Sequence, residues 1–142
     1  MKHTLPNVFA AAILLAAIAP VSAHHGDAGR YDENVTTMTG TVLELQWVDP
    51  HAIIVLDIPN DKGVNVRWQA ELGGRTGLAR TGWTKNTLKA GDKITITGRR
   101  VKSGAPYMNL TERANVVMTA TGKELFRTPN YGEPAPASVK QK

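Results

Sequence analysis

The chain has 142 residues, no cysteine and a formal net charge of +5, with the two signs of charge interspersed along it. The lack of cysteine excludes a disulfide scaffold, and the length allows one domain whose core is large enough to fold without such cross-links. The mildly basic balance is ordinary for solubility and indicates no single cationic face.

The first 23 residues have the pattern of a secretory signal peptide. Lys2 supplies a positive start, residues 8–19 form an almost unbroken apolar core, and Ala23 ends a run of small residues where cleavage is expected. The core is too short for a membrane span, and no later stretch approaches the ~18 apolar residues that a spanning helix needs. We therefore predict an exported protein with no membrane span, for which nucleic acid is not an expected partner.

After the signal peptide, a mobile arm over residues 24–34 is predicted, because this segment has no apolar periodicity. A long β-hairpin follows over residues 39–58. Its two β-branched arms meet at a corner around Pro50, which cannot donate to a sheet ladder. The apolar residues of the first arm change face between Val42 and Leu43, as expected for a β-bulge or for a strand that coils around a closed barrel.

The clearest strand pattern is the alternation of apolar and polar residues over residues 64–72, which predicts one buried and one solvated face. A glycine-interrupted stretch, residues 75–88, predicts a short helical connector that closes one end of a barrel. Two or three further strands are expected within residues 93–118, and residues 125–126 are expected to pack back onto the core. Prolines and polar residues predict a disordered tail over residues 128–142.

This order of elements indicates an all-β fold with little helix. Three strands, a helical connector and two or three further strands are typical of the OB-fold, here an OB-like Greek-key barrel of five to six strands. The connector is expected between strands 3 and 4, and the barrel over residues 35–127. A β-sandwich is the alternative architecture.

The histidines that follow the predicted signal peptide are candidates for a metal site. His24 and His25 would stand at the new N-terminus, where the α-amino group and a ring nitrogen can chelate one ion, and imidazole suits copper and zinc. Strand pairing around the turn at residues 60–63 places His51 opposite a residue near Glu71. That carboxylate can ligate the ion or accept the second ring N–H of His51. The simpler interpretation is a solvated terminus and a surface His–Glu pair.

Trp47 and Asp49 flank the hairpin corner and are the candidate ligand-binding residues. Trp47 ends the first arm and can form the wall of a pocket, whereas Trp68 lies on the apolar face of its strand and is expected in the core. Asp49 can add a carboxylate beside a metal or cap the turn. The basic segment 99–102 can contact an anion, although a solvated strand end is the simpler interpretation.

Three functions are compatible with these residues. The first is a binding or accessory protein that holds copper or zinc through His24, His25 and His51 near Glu71. The second is a metal-free interaction module that binds an envelope protein or a small anionic ligand through the barrel mouth. The third, a metal-dependent enzyme, has the least support. The sequence defines no substrate pocket and contains no phosphate loop, nucleophile elbow or zinc-protease helix motif.

Four short motifs follow one another along the chain, namely Ala23-His24-His25, Trp47-Val48-Asp49-Pro50-His51, Trp68-Gln69-Ala70-Glu71-Leu72-Gly73 and Gly82-Trp83-Thr84. In this order they resemble an uncharacterised, domain-of-unknown-function family of small exported bacterial proteins. The resemblance extends over about residues 23–126 and implies a periplasmic β-barrel-like domain without an established activity. The family often has asparagine where this chain has Asp49.

Overall fold

A computed structural model describes residues 29–137 of the chain. The predicted signal peptide and the two candidate ligands His24 and His25 lie outside the described residues. Within the described range there are seven strands and one helix, β1 (Thr36–Gln46), β2 (Ile53–Pro59), β3 (Asn65–Glu71), α1 (Arg75–Arg80), β4 (Lys93–Arg100), β5 (Tyr107–Asn109), β6 (Asn115–Met118) and β7 (Glu124–Arg127). No helix in this part of the chain has the length and apolar character needed to cross a bilayer.

Five of the strands close into a barrel. The ring runs β1–β2–β3–β5–β4 and returns to β1, with β3 and β5 parallel and the other pairs antiparallel. β6 pairs with β4 on the same side of that strand as β5, next to a different part of it, and β7 pairs with β6. The ring order, with α1 between β3 and β4, confirms the predicted OB-like barrel and is not that of a sandwich. The two strands beyond the ring arise because the chain after β5 rejoins the sheet.

β1 belongs to both halves of the barrel. Its first residues pair with β4 and its last with β2. Between Val42, which pairs with Leu56, and Glu44, which pairs with Val55, the register shifts, so that Leu43 is the extra residue of a bulge. The predicted change of face at Leu43 is thereby confirmed, because a bulge turns the strand and moves the inward positions by one residue.

The core fills the barrel and continues under α1. The strands supply most of it, and α1 and the segment that follows contribute Leu78, Trp83 and Leu88. Trp68 is only 6% exposed, as its position on the apolar face of β3 predicts. The indole N–H of Trp83 donates to the Leu125 carbonyl at 2.7 Å. The predicted return of residues 125–126 to the core is therefore confirmed, and β7 holds them there.

Packing extends beyond both predicted limits of the barrel, residues 35 and 127. Tyr31, which lies within the predicted arm of residues 24–34, is buried and forms a β-bridge with Val101. Thr128, the first residue of the predicted tail, is also buried, and its hydroxyl accepts the Ala114 N–H at 2.8 Å. The segments next to the barrel on each side therefore contribute packed residues.

Candidate functional site

The corner between β1 and β2 presents His51 at the end of the β2–β3 pair. β2 and β3 pair with Ile53 opposite Glu71, so the register differs by about one residue from the one expected from the turn. His51 Nδ1 lies 3.4 Å from a carboxylate oxygen of Glu71 and 3.2 Å from the Leu72 carbonyl oxygen. The strand pairing thus brings together the two candidate residues that sequence reasoning placed near each other.

The contacts of His51 determine which ring nitrogen is available. The Leu72 carbonyl oxygen can only accept, so Nδ1 carries the proton and donates it. In the neutral ring the lone pair then lies on Nε2. The side chain of His51 is 48% exposed, whereas that of Glu71 is largely buried behind it. The ring of His51 is therefore oriented by a carbonyl and a carboxylate on one side, and its Nε2 faces away from both.

A third residue, Tyr107, joins this pair and was not identified from the sequence. Its hydroxyl donates a hydrogen bond to the second carboxylate oxygen of Glu71. β5 places it there by pairing in parallel with β3, with Tyr107 opposite Gln69. Burial, together with the hydrogen bond to Glu71, raises the pKa of the Tyr107 phenol above its ordinary value. Tyr107 therefore stays a donor, and it fixes one oxygen of Glu71 while the other faces His51.

We expect Tyr107→Phe to lower the free energy of unfolding by about 1.5 kcal/mol, because a hydrogen bond to a charged group contributes about that much and Glu71 is mostly screened from water. Urea denaturation measures the change. The matched control is Tyr131→Phe, since the Tyr131 hydroxyl makes no hydrogen bond within the described residues and the ring is partly exposed. Equal stability of the two variants would contradict the assigned role of the Tyr107 hydroxyl.

The chain approaches this cluster through residues 30–33, which we call the N-terminal strap. The strap runs along the end of β4 and the loop after it. Its backbone accepts the N–H of Lys102 at 2.9 Å and donates to the carbonyl of Arg100 at 2.8 Å. Tyr31, at 3% exposure, anchors the strap in the barrel wall.

Two arginine side chains hold the strap in addition. Arg99 donates to the Asp32 carbonyl at 2.9 Å and pairs with Glu112 at 2.7 Å. Arg113, itself buried, donates to the Glu33 carbonyl at 2.6 Å. Guanidinium groups provide several donors in a fixed geometry, so these contacts set the path of the backbone. The strap is part of the folded domain.

The first residue of the strap lies beside Tyr107. The guanidinium carbon of Arg30 is 5.8 Å from the ring centroid of Tyr107 and 5.3 Å from that of Tyr31. Both distances are in the range of cation–π attraction. Contacts therefore run without a break from Arg30 through Tyr107 and Glu71 to His51.

The two predicted ligand-binding residues have other contacts. Trp47 is partly buried and packs against the core. Asp49 forms an ion pair with Arg75, the first residue of α1, with Nε 2.8 Å from the carboxylate. The hydrogen bonds from Arg75 hold the pKa of the Asp49 carboxyl below its usual value. Since the polar contacts of His51 are with Glu71 and Leu72, neither Trp47 nor Asp49 joins its cluster.

The described residues contain no group of three or more His, Asp or Glu side chains that could hold a metal ion by themselves. Of the four predicted ligands, the structure brings together His51 and Glu71, while His24 and His25 fall in the part of the chain that it does not describe. A metal site built from such side chains at this position therefore needs donors from outside the described residues.

The chain matches the model of a protein family. The model described as "Family of unknown function (DUF6152)" matches residues 11–108 of the chain. The matched range contains the His51 cluster and the strands β1 to β4, and it ends within β5. No curated protein and no solved structure matches the chain.

Proposed function

We propose that this chain, which belongs to a family of unknown function (DUF6152), is an exported periplasmic accessory protein that binds a transition metal. The family agrees with the motifs of the sequence but supplies no function, so the proposal rests on the residues of this chain. The proposed ligands are Nε2 of His51 and donors of the predicted mature N-terminus, namely the α-amino group, His24 and His25. Glu71 acts behind His51 as the acceptor that orients the ring. Copper is the first candidate metal and zinc the second.

The observation that carries this proposal is the position of the N-terminal strap. The strap is fixed to the barrel, and Arg30 at its start lies against Tyr107, which bonds Glu71 beside His51. An extended chain advances ~3.5 Å per residue. The five steps from His25 to Arg30 can therefore span up to ~17 Å, and the proposal requires that Nε2 of His51 lie within that reach of Arg30.

The donor set favours copper over zinc. An amine and imidazoles provide nitrogen donors only, and nitrogen sites bind divalent copper more tightly than zinc. Copper(II) also accepts the square-planar or tetragonal geometry that a terminal chelate with one further imidazole can supply. The carboxylate of Glu71 and the carbonyl of Leu72 keep the proton on Nδ1, which leaves Nε2 of His51 for the ion.

The test is isothermal titration of copper and of zinc into protein whose N-terminus at His24 has been verified by mass spectrometry. We expect one ion per chain with a Kd below about 10 μM. We expect His51→Ala to weaken binding at least tenfold and Glu71→Gln to weaken it by ~10-fold, as loss of an outer-shell partner does.

Asp49→Asn is the matched control for the titration, because Asp49 is an acid at the same corner that pairs with Arg75 instead of His51. We expect it to bind copper as the wild type does. Binding weaker than about 10 μM, or binding that a His24→Ala/His51→Ala double variant leaves unchanged, would refute the proposal.

A further inference from the structure

The end of the barrel opposite His51 contains a cavity, which we call the open-end pocket. It has a volume of about 290 Å³ and lies where the β2–β3 turn and the β4–β5 loop meet. His51 precedes β2, whereas this pocket is lined by Ile58 and Pro59, the last two residues of β2. The apolar part of its lining includes Met38, Val66 and Trp68, and the charged residues that line it are Arg100 and Asp61.

Arg100 occupies an inward position of β4. Alternate residues of this strand face the core, and both Ile94 and Ile96 are fully buried. Arg100 continues the same alternation at the end of the strand, where it pairs with the buried Met108. Its guanidinium carbon lies 4.9 Å from the ring centroid of the buried Trp68. The guanidinium of Arg100 therefore packs against the indole of Trp68, at a strand position where the alternation predicts an apolar residue.

The charge of Arg100 has no carboxylate partner within the described residues. Its one side-chain interaction there is the contact with the Trp68 ring. Five other arginines pair with acids, namely Arg67, Arg75, Arg99, Arg113 and Arg127. A partly buried guanidinium without a counter-ion keeps unused donors that match the geometry of a carboxylate.

We propose that the open-end pocket binds a small organic monocarboxylate with an aromatic or branched apolar body. The carboxylate pairs with Arg100, and the body lies in the apolar mouth against Trp68 and its neighbours. The cavity is at the small end of the range for ligand pockets, which limits the size of the guest. Asp61 on the rim disfavours guests with a second negative charge, such as phosphates. This site does not depend on metal binding at His51.

NMR titration of ¹⁵N-labelled protein with phenylacetate tests the proposal, with the neutral phenylacetamide as the matched ligand. We expect saturable shifts at the Trp68 indole N–H and at the backbone around Arg100 and Gly104, with a Kd below about 1 mM. The amide should bind at least tenfold more weakly, because it cannot form the charged pair. Equal binding of the two ligands, no saturable shift, or shifts centred on His51 would each overturn the proposal.

Substitutions identify the charged side chain that binds the carboxylate of phenylacetate. Arg100→Gln should weaken phenylacetate binding at least tenfold, whereas Arg80→Gln should not change it. Arg80 is exposed on α1 and also lacks an acidic partner among residues 29–137. Unchanged binding by Arg100→Gln would refute the site. If that variant is unfolded in its NMR spectrum, the comparison of acid and amide on the wild-type protein still decides the question.

Discussion

Replacing Gly98 with alanine is expected to destabilise the barrel by about 3 kcal/mol, the upper part of the range for overpacked cores. Gly98 is buried in the middle of β4, where that strand pairs with β1 on one side. A Cβ there would stand 2.5 Å from the Asn109 carbonyl oxygen and 2.6 Å from Leu110 Cδ2. The first of these neighbours is backbone, so no change of rotamer relieves the contact.

Urea denaturation of Gly98→Ala measures this effect, and Gly77→Ala is its matched control. Gly77 lies in α1 with nothing within 4 Å of an added Cβ. Alanine is the better helix former, so we expect the control to gain about 0.5–1 kcal/mol. The same substitution should thus have opposite signs at the two positions. A Gly98→Ala variant within ~0.5 kcal/mol of the wild type would show that β4 and β5 can separate at little cost.

The parts of the fold that could be predicted from the sequence are those set by neighbouring residues. Alternation over residues 64–72 gives β3, and the turn at residues 60–63 sets its antiparallel partner β2. The bulge at Leu43 follows from a change in the apolar face of one strand. Closure of the ring through β3 and β5 could not be predicted in this way. It depends on a parallel pairing of three residues between distant parts of the chain.

The same distinction applies to the candidate site. His51 and Glu71 belong to one hairpin, and their approach follows from its register. Tyr107 joins them through the parallel β3–β5 pair, which no local pattern indicates. Arg100 is a different case, because the burial of Ile94 and Ile96 implies its inward direction. The adjacent Arg99 made the segment resemble a solvated basic strand end, although Arg99 in fact holds the N-terminal strap.

The second large effect is expected at Trp83, which joins the connector after α1 to β7. The side chain is 3% exposed, and its ring meets Phe126 edge-on at a centroid distance of 6.2 Å. Trp83→Ala should lower the free energy of unfolding by about 4 kcal/mol, because a large buried aromatic side chain is lost and a cavity remains. Urea denaturation followed by far-UV circular dichroism measures the loss.

Two further variants help to interpret the loss of stability at Trp83. One separates the effect of side-chain volume from that of the hydrogen bond, and the other is a control at a different tryptophan. Trp83→Phe keeps most of the apolar contact but removes the donor to the Leu125 carbonyl, for an expected loss of about 1–2 kcal/mol beyond the smaller ring volume. Trp47→Ala is the control for loss of an indole, and it should cost less than Trp83→Ala because Trp47 is only partly buried. If both alanine variants lost the same stability, Trp83 would not be the side chain that fixes β7 to the barrel. The pairing of β7 with β6 would then be enough to hold β7 on the barrel, and the contacts of Trp83 with Leu125 and Phe126 would be a consequence of that pairing.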